Sequence, residues 1–488
     1  MTSRPKNGRW SIAPLLLALV LAGCASAPPA LTTSIPAAPA AYKEQGSWTV
    51  AKPAESQPRG EWWKAFGDAT LDGFVERAAS NNTSIAQAAA RLAQARALVR
   101  ATDADRSLQV GVGAGVTRQG GGVATASGTA GTLSSVGANL SYELDLFGRL
   151  AKNSNAAALD AASREALLQS TRLLVQADVA RTYFALRAID NERALVRDTV
   201  AAYAGTLRLT ESRFRAGDVA ELDVARVRTE VAATQSEALA LDRRRAELEH
   251  ALAVLMGELP SNFSVAEIDW TGAPPAIPAG LPSTLLARRP DVSAAQGAML
   301  AAQARVGVAQ AAWFPSLSLT ASGGYASPEL GDLFKWSARA WSVGALLSLP
   351  VFDGGRRAAG IQSAAAQLDG AAASYREQVL VAFKDVEDQL SARRLLNAQA
   401  DVQAQAVESA SRATLLSDSR YRNGLVSQLE LLDSRRSEAS NRRQALQVRA
   451  AQFQATVGLI SALGGGWDSG DVSVSLMPGG TEIASQGR

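Results

Sequence analysis

The chain has 488 residues, with 49 Lys and Arg against 46 Asp and Glu, one His and one Cys. The three surplus positive charges, Arg4, Lys6 and Arg9, fall in residues 1–24, where no acid occurs. That leaves 46 against 46 (49 − 3 = 46) in the remainder, with no electrostatic ground for nucleic-acid binding. A single cysteine excludes a disulfide scaffold, and the length calls for two or three ordinary domains or one elongated architecture.

The first predicted element, residues 1–23, is a secretory signal: the basic residues, then an apolar run from Ile12 to Ala22. Leu21-Ala22-Gly23-Cys24 supplies the small residues and the thiol that lipoprotein processing needs, so Cys24 is the expected lipidation site and new N-terminus. A spanning anchor would need about 20 apolar residues, more than this run provides. Residues 24–65 read as a Pro/Ala-rich lipidated tether. After Ala22 no apolar run reaches the length of a spanning helix, so any membrane crossing falls to strands.

The rest is built twice. Glu211-Ser212-Arg213-Phe214-Arg215-Ala216-Gly217 matches Asp418-Ser419-Arg420-Tyr421-Arg422-Asn423-Gly424, an offset of 424 − 217 = 207. The same shift carries Asp178-Val179 to Asp385-Val386, Ile85 to Val292 and Arg149 to Arg356. Repeat 1 is placed at 66–263 and repeat 2 at 284–463, with a Pro-rich connector at 264–283 and a C-terminal tail at 464–488.

Each repeat opens with a helical stretch, Leu71 to Asp105 and Thr284 to Ala312. Strands are expected at about 108–118 and 133–146, then at about 316–325 and 338–350. Val136, Ala138, Leu140, Tyr142 and Leu144 alternate with Gly137, Asn139, Ser141 and Glu143, the period of a strand apolar on one face only. Ten or so residues suit a transmembrane strand, while a small soluble sheet packed on helices would show the same alternation. Four strands are too few to close a barrel, so a membrane role requires several chains. Long helices are expected at about 150–216 and 357–423, turns at 217–220 and 424–427, and shorter helices at about 219–256 and 427–463. Leu168, Val175, Val179, Thr182, Leu186, Ile189 and Val196 step as a coiled-coil seam does.

Further motifs are Trp62-Trp63 with Phe66 and Asp68, Arg288-Arg289-Pro290-Asp291-Val292, Ala312-Trp313-Phe314-Pro315-Ser316-Leu317, Leu349-Pro350-Val351-Phe352-Asp353-Gly354-Gly355, and Tyr421-x-x-Gly424. In these the chain resembles the TolC-like outer-membrane efflux proteins, in their NodT-type lipoprotein branch. The resemblance implies a mainly α chain with a transmembrane β part. It implies a homotrimer in which each chain lends four strands to a twelve-stranded barrel over a long periplasmic helical barrel. It further implies a passive exit duct of a tripartite system, with a periplasmic adaptor, an RND-type inner-membrane pump and outer-membrane lipid as partners, or else the exit channel of type I protein secretion. No cofactor or metal is implied. A periplasmic coiled-coil scaffold lipoprotein is the alternative from another class.

Gly217 and Gly424 read as helix C-cap glycines. By resemblance they head the adaptor-docking tips, with Val219 in the first and Leu425 and Val426 in the second; Asp218 departs from the apolar residue usual after the glycine. Glu430 and Asp433 share one helix face and match the family's acidic constriction, as Asp223 does in repeat 1, where Arg226 stands in place of the second acid. His250 has no catalytic or metal-binding company: no His-Glu-x-x-His, nucleophile elbow or phosphate loop occurs. Gly120-Gly121-Gly122 precedes no helix and reads as an extracellular loop.

Overall fold

The computed structural model describes residue 39 and residues 42–44, 59–120, 131–275 and 288–465. Cys24, most of the tether, the second half of the connector and nearly all of the tail lie outside them. In order, the elements are α1 (Ala69–Asn81), α2 (Thr83–Ala104), β1 (Gln109–Gln119), β2 (Gly131–Leu144), α3 (Arg149–Arg215), α4 (Glu221–Leu255), α5 (Pro290–Ala311), β3 (Ser316–Ser327), β4 (Arg339–Ser348), α6 (Arg356–Arg422) and α7 (Gln428–Ala462). The helices α3 and α6 are each 67 residues, α4 and α7 each 35, α2 and α5 each 22. At 1.5 Å per residue the two longest are rods of about 100 Å.

The opening stretch expected as one helix is two. Asn82 breaks it: its N–H completes α1 on the Ala78 carbonyl, while its side-chain oxygen accepts from the N–H groups of Ser84 and Ile85. Its amide nitrogen donates to the carbonyl of Leu255 at 2.7 Å, so the break also anchors the end of α4. Gly257 follows with φ +70°, and a Cβ there would stand 2.5 Å from the Asn81 carbonyl oxygen. In the second repeat Arg288 is already helical, Arg289 interrupts the helix as Asn82 does in the first, and α5 runs on from Pro290, a position that needs no N–H; residues 284–287 lie outside the described ones.

The chain divides into two compact units. One holds residues 90–165 and 294–377, hence the whole four-stranded sheet, ordered β1-β2-β3-β4 and antiparallel throughout. The strand expected to run to Leu146 stops at Leu144, because Asp145 turns to cap α3, accepting from the N–H of Leu150 at 3.0 Å and Ala151 at 2.7 Å.

The other unit holds 37–89, 166–293 and 378–488. Its core is aromatic: Phe184 lies 4.8 Å from Phe66 and 4.7 Å from Phe453, and Trp270 lies 4.4 Å from Phe453, ring centre to ring centre. Tyr183 donates to Asp68 at 2.6 Å, and burial, helped by that carboxylate, pushes its hydroxyl up to about 12. Buried Asp190 meets Arg187 at 3.2 Å and Arg245 at 2.7 Å. The same arginines donate to the carbonyls of Ala266 and Val265, stitching the start of the connector to α3 and α4.

Candidate functional site: an apolar sheet face and two glycine turns

Strand register sorts the sheet into two faces. Val110, Leu140, Ala321 and Val343 form one row; Val112, Ala138, Gly323 and Trp341 form the next on the same face. Tyr142, Leu319 and Ala345, then Leu144, Leu317 and Leu347, continue that face toward the end from which the helices leave. The opposite face carries Gln109, Ser141, Thr320 and Gly344, then Gly111, Asn139, Ser322 and Ser342. In a single chain the apolar face is bare: Trp341 is 79% and Val343 78% exposed. A water-soluble sheet would cover such a face. Both edges, β1 and β4, also lack a further strand among the described residues. Where helix follows strand, Arg149 pairs with Glu143. Arg357 donates to Asp353 at 2.7 Å and holds that carboxyl below its ordinary range.

In the second unit the two long helices end alike. Gly217 and Gly424 have φ of +82° and +73°, a conformation that glycine adopts without a Cβ clash. The N–H of Asp218 bonds the Arg213 carbonyl and that of Leu425 the Arg420 carbonyl, both at 2.9 Å, the double-bonded helix ending that satisfies the last carbonyls. The side chains after each glycine differ: Asp218 in the first turn, Leu425, exposed, in the second. Ala220 gives α4 no side-chain cap, whereas Ser427 accepts from the Glu430 N–H to cap α7.

The acids beyond the turns are placed unevenly. Asp223 lies 3.7 Å from Arg226 and Asp433 3.4 Å from Arg436, each one turn along its own helix. Glu430 is exposed and meets no cation among the described residues. Val219 and Val426 are half-buried.

Sequence reasoning missed a set of polar ties that hold α7. Gln428 donates to Thr210 on α3 at 2.6 Å, both side chains buried. Arg435 donates to Thr206 on α3 at 2.6 Å and to Asp418 on α6 at 2.9 Å, while Arg436 pairs with Glu230 on α4. Beside them Tyr203, Val227, Val231 and Leu432 form a small apolar core. The only sequence signal was the polar residue type at positions a coiled-coil seam would fill with apolar side chains. His250 lies exposed on α4, and no group of three or more His, Cys, Asp or Glu among the described residues could hold a metal ion. Among those residues, too, no helix is long and apolar enough to cross a membrane, which leaves the strands.

The model of the outer membrane efflux protein family matches residues 74–258 and again 281–465. The chain belongs to that family. The solvent efflux pump outer membrane protein SrpC of Pseudomonas putida is 33% identical over 470 residues, covering 93% of this chain and 98% of the relative. The pyoverdine export outer membrane protein OpmQ of Pseudomonas aeruginosa is 33% identical, covering 92% of this chain and 96% of the relative. Among solved structures the outer-membrane channel OprN superposes with a TM-score of 0.82 at 30% identity, over 90% of this chain and 99% of that one. This family member is therefore an efflux exit duct of TolC-like fold, placed in the outer membrane and extending into the periplasm.

Proposed function

We propose that three copies of this chain close one twelve-stranded barrel and stand as the passive exit duct of a tripartite, RND-type efflux system. The observation that carries the reading is the four-stranded sheet, apolar on one face and open at both edges. In lipid each unpaired backbone group is costly, so the edges demand sister strands, and three sheets of four give an even, closed set. The glycine turns then lie at the far ends of the long helices and meet a periplasmic adaptor, which couples the duct to the inner-membrane pump. Energy and cargo selection belong to that pump: relatives named for solvents and for pyoverdine match this chain equally well. Threefold symmetry would gather Glu430 and Asp433 of each chain around one axis, where like charges attract cations and narrow the passage. Cys24 carries the lipid that fixes the N-terminus to the membrane. Outer membranes solubilised in mild detergent should release a trimer that collapses to monomer on boiling. Recovery of a monomer soluble without detergent would end this reading.

A further inference from the structure

The four strands hold only three Asp, Glu, Lys or Arg side chains, and their placement is lopsided. Glu143 sits on the polar face near the helix-bearing end, bonded by Arg149 at 2.8 and 2.9 Å. Arg118 and Arg339 sit at the opposite end, on the apolar face. Arg339 shares a row with Tyr325, Val136 and Ala114; Arg118 lies four residues past Ala114, opposite Thr132. Both belong to edge strands, β1 and β4.

Neither guanidinium meets a carboxylate among the described residues. Arg339 donates from Nε to the Trp336 carbonyl at 3.0 Å and lies over the Trp336 ring, and its outer nitrogens have no hydrogen-bond partner among the described residues. Trp336 and its neighbour Phe334 are 74% and 73% exposed. Residues 121–130, between β1 and β2, contain no ionisable side chain at all.

From Leu347 to Arg339 the apolar face runs eight residues, about 26 Å along the strand and about 20 Å across a bilayer at the usual tilt. Arginine on a lipid-facing strand is costly at the midplane and tolerated at the interface, beside aromatic rings. Arg339 stands at that level, and Arg118 lies four residues, about 13 Å along the strand, farther out. Helices leave from the other end, which lies in the periplasm, so this end meets the outer leaflet. The planar fork of arginine fits phosphate through two parallel bonds.

We infer that Arg118 and Arg339 form a binding site for the phosphorylated headgroups of outer-leaflet glycolipid (lipopolysaccharide). The site rests on the barrel reading and occurs three times per trimer. Its cations, which meet no carboxylate among the described residues, lie at the interface and just beyond it, and the exposed Trp336 and Phe334 suit the adjoining interface.

The test uses full-length protein extracted from outer membranes in mild detergent, with glycolipid per trimer measured by native mass spectrometry and by sugar assay. The doubly substituted R118Q/R339Q protein should retain about tenfold less glycolipid than wild type, the loss of charge-assisted bonds, and R118K/R339K an intermediate amount. Added inorganic phosphate should not displace the lipid, and trimers in phosphatidylglycerol nanodiscs should take up lipopolysaccharide in preference to that phospholipid. Equal retention by wild type and R118Q/R339Q, or wild-type trimers free of glycolipid, would overturn the inference and leave the pore standing. Displacement by phosphate, or no preference over phosphatidylglycerol, would overturn it too. Absence of any wild-type trimer would instead strike the barrel reading. Should R118Q/R339Q fail to assemble, the singly substituted R339Q carries the same comparison.

Discussion

Arg435→Ala probes whether the ties on α7 hold the duct closed. Arg435 gives one bond to Thr206 at 2.6 Å and one to Asp418 at 2.9 Å, its side chain 22% exposed. Alanine removes both but strands nothing: Asp418 keeps Arg422 at 2.8 Å, and Thr206 keeps its bond to the Ala202 carbonyl at 3.0 Å. The loss is therefore that of partly exposed charge-assisted bonds, about 2 kcal/mol, without the larger penalty of an orphaned buried charge. If the ties exist only while α7 lies on α3, that energy becomes a roughly 30-fold rise in the open fraction. Single-channel recording in planar bilayers reads this directly, and entry of a large antibiotic into cells reads it in place. Lower thermal stability with an unchanged open probability would refute the gating role, since the bonds would then persist in both states.

Replacing Glu430 and Asp433 together by Ala should raise conductance and reduce block by divalent cations; unchanged values would show that these carboxylates stand away from the passage. Cys24→Ala should weaken retention of the N-terminus yet leave trimers in the membrane, as counted on unboiled gels; complete loss of trimers would show that the lipid is needed for assembly. Tyr183 supplies a pH test. Its folded value near 12 exceeds the ordinary 10, so its contribution is whole below pH 10 and is lost as pH rises through 12, at most about 3 kcal/mol. Helical circular dichroism should therefore show a softening of the fold across that interval that Tyr183→Phe reduces; an identical alkaline profile in Tyr183→Phe would contradict it.

The mixed fold was legible because its signals are local. Alternation from Val136 to Leu144 needs no partner to be seen, and register sets Leu140 beside Ala321 on the face that the alternation marks. Gly217 and Gly424 were readable as helix ends because a long helical run without Pro stops at each, and both carry positive φ. What escaped depends on distant partners. The break at Asn82 is completed by the Leu255 carbonyl, 173 residues away, so its neighbours gave only a continuous helical pattern. Thr206 and Arg435 lie 229 residues apart, and nothing in either segment announces the other. That Arg118 and Arg339 share the apolar face shows only once the strand register sets the rows.

In the shared barrel the open edges of β1 and β4 meet between chains. A cysteine at Val112 on β1, combined in turn with cysteines at Ala340, Ser342 and Gly344 and then at Trp341, Val343 and Ala345 on β4, tests it by oxidation in intact outer membranes. One register should yield covalent trimers in high proportion, with neighbouring positions on the same face falling away on either side. Covalent links found only within single chains, or none at any register, would contradict the shared barrel.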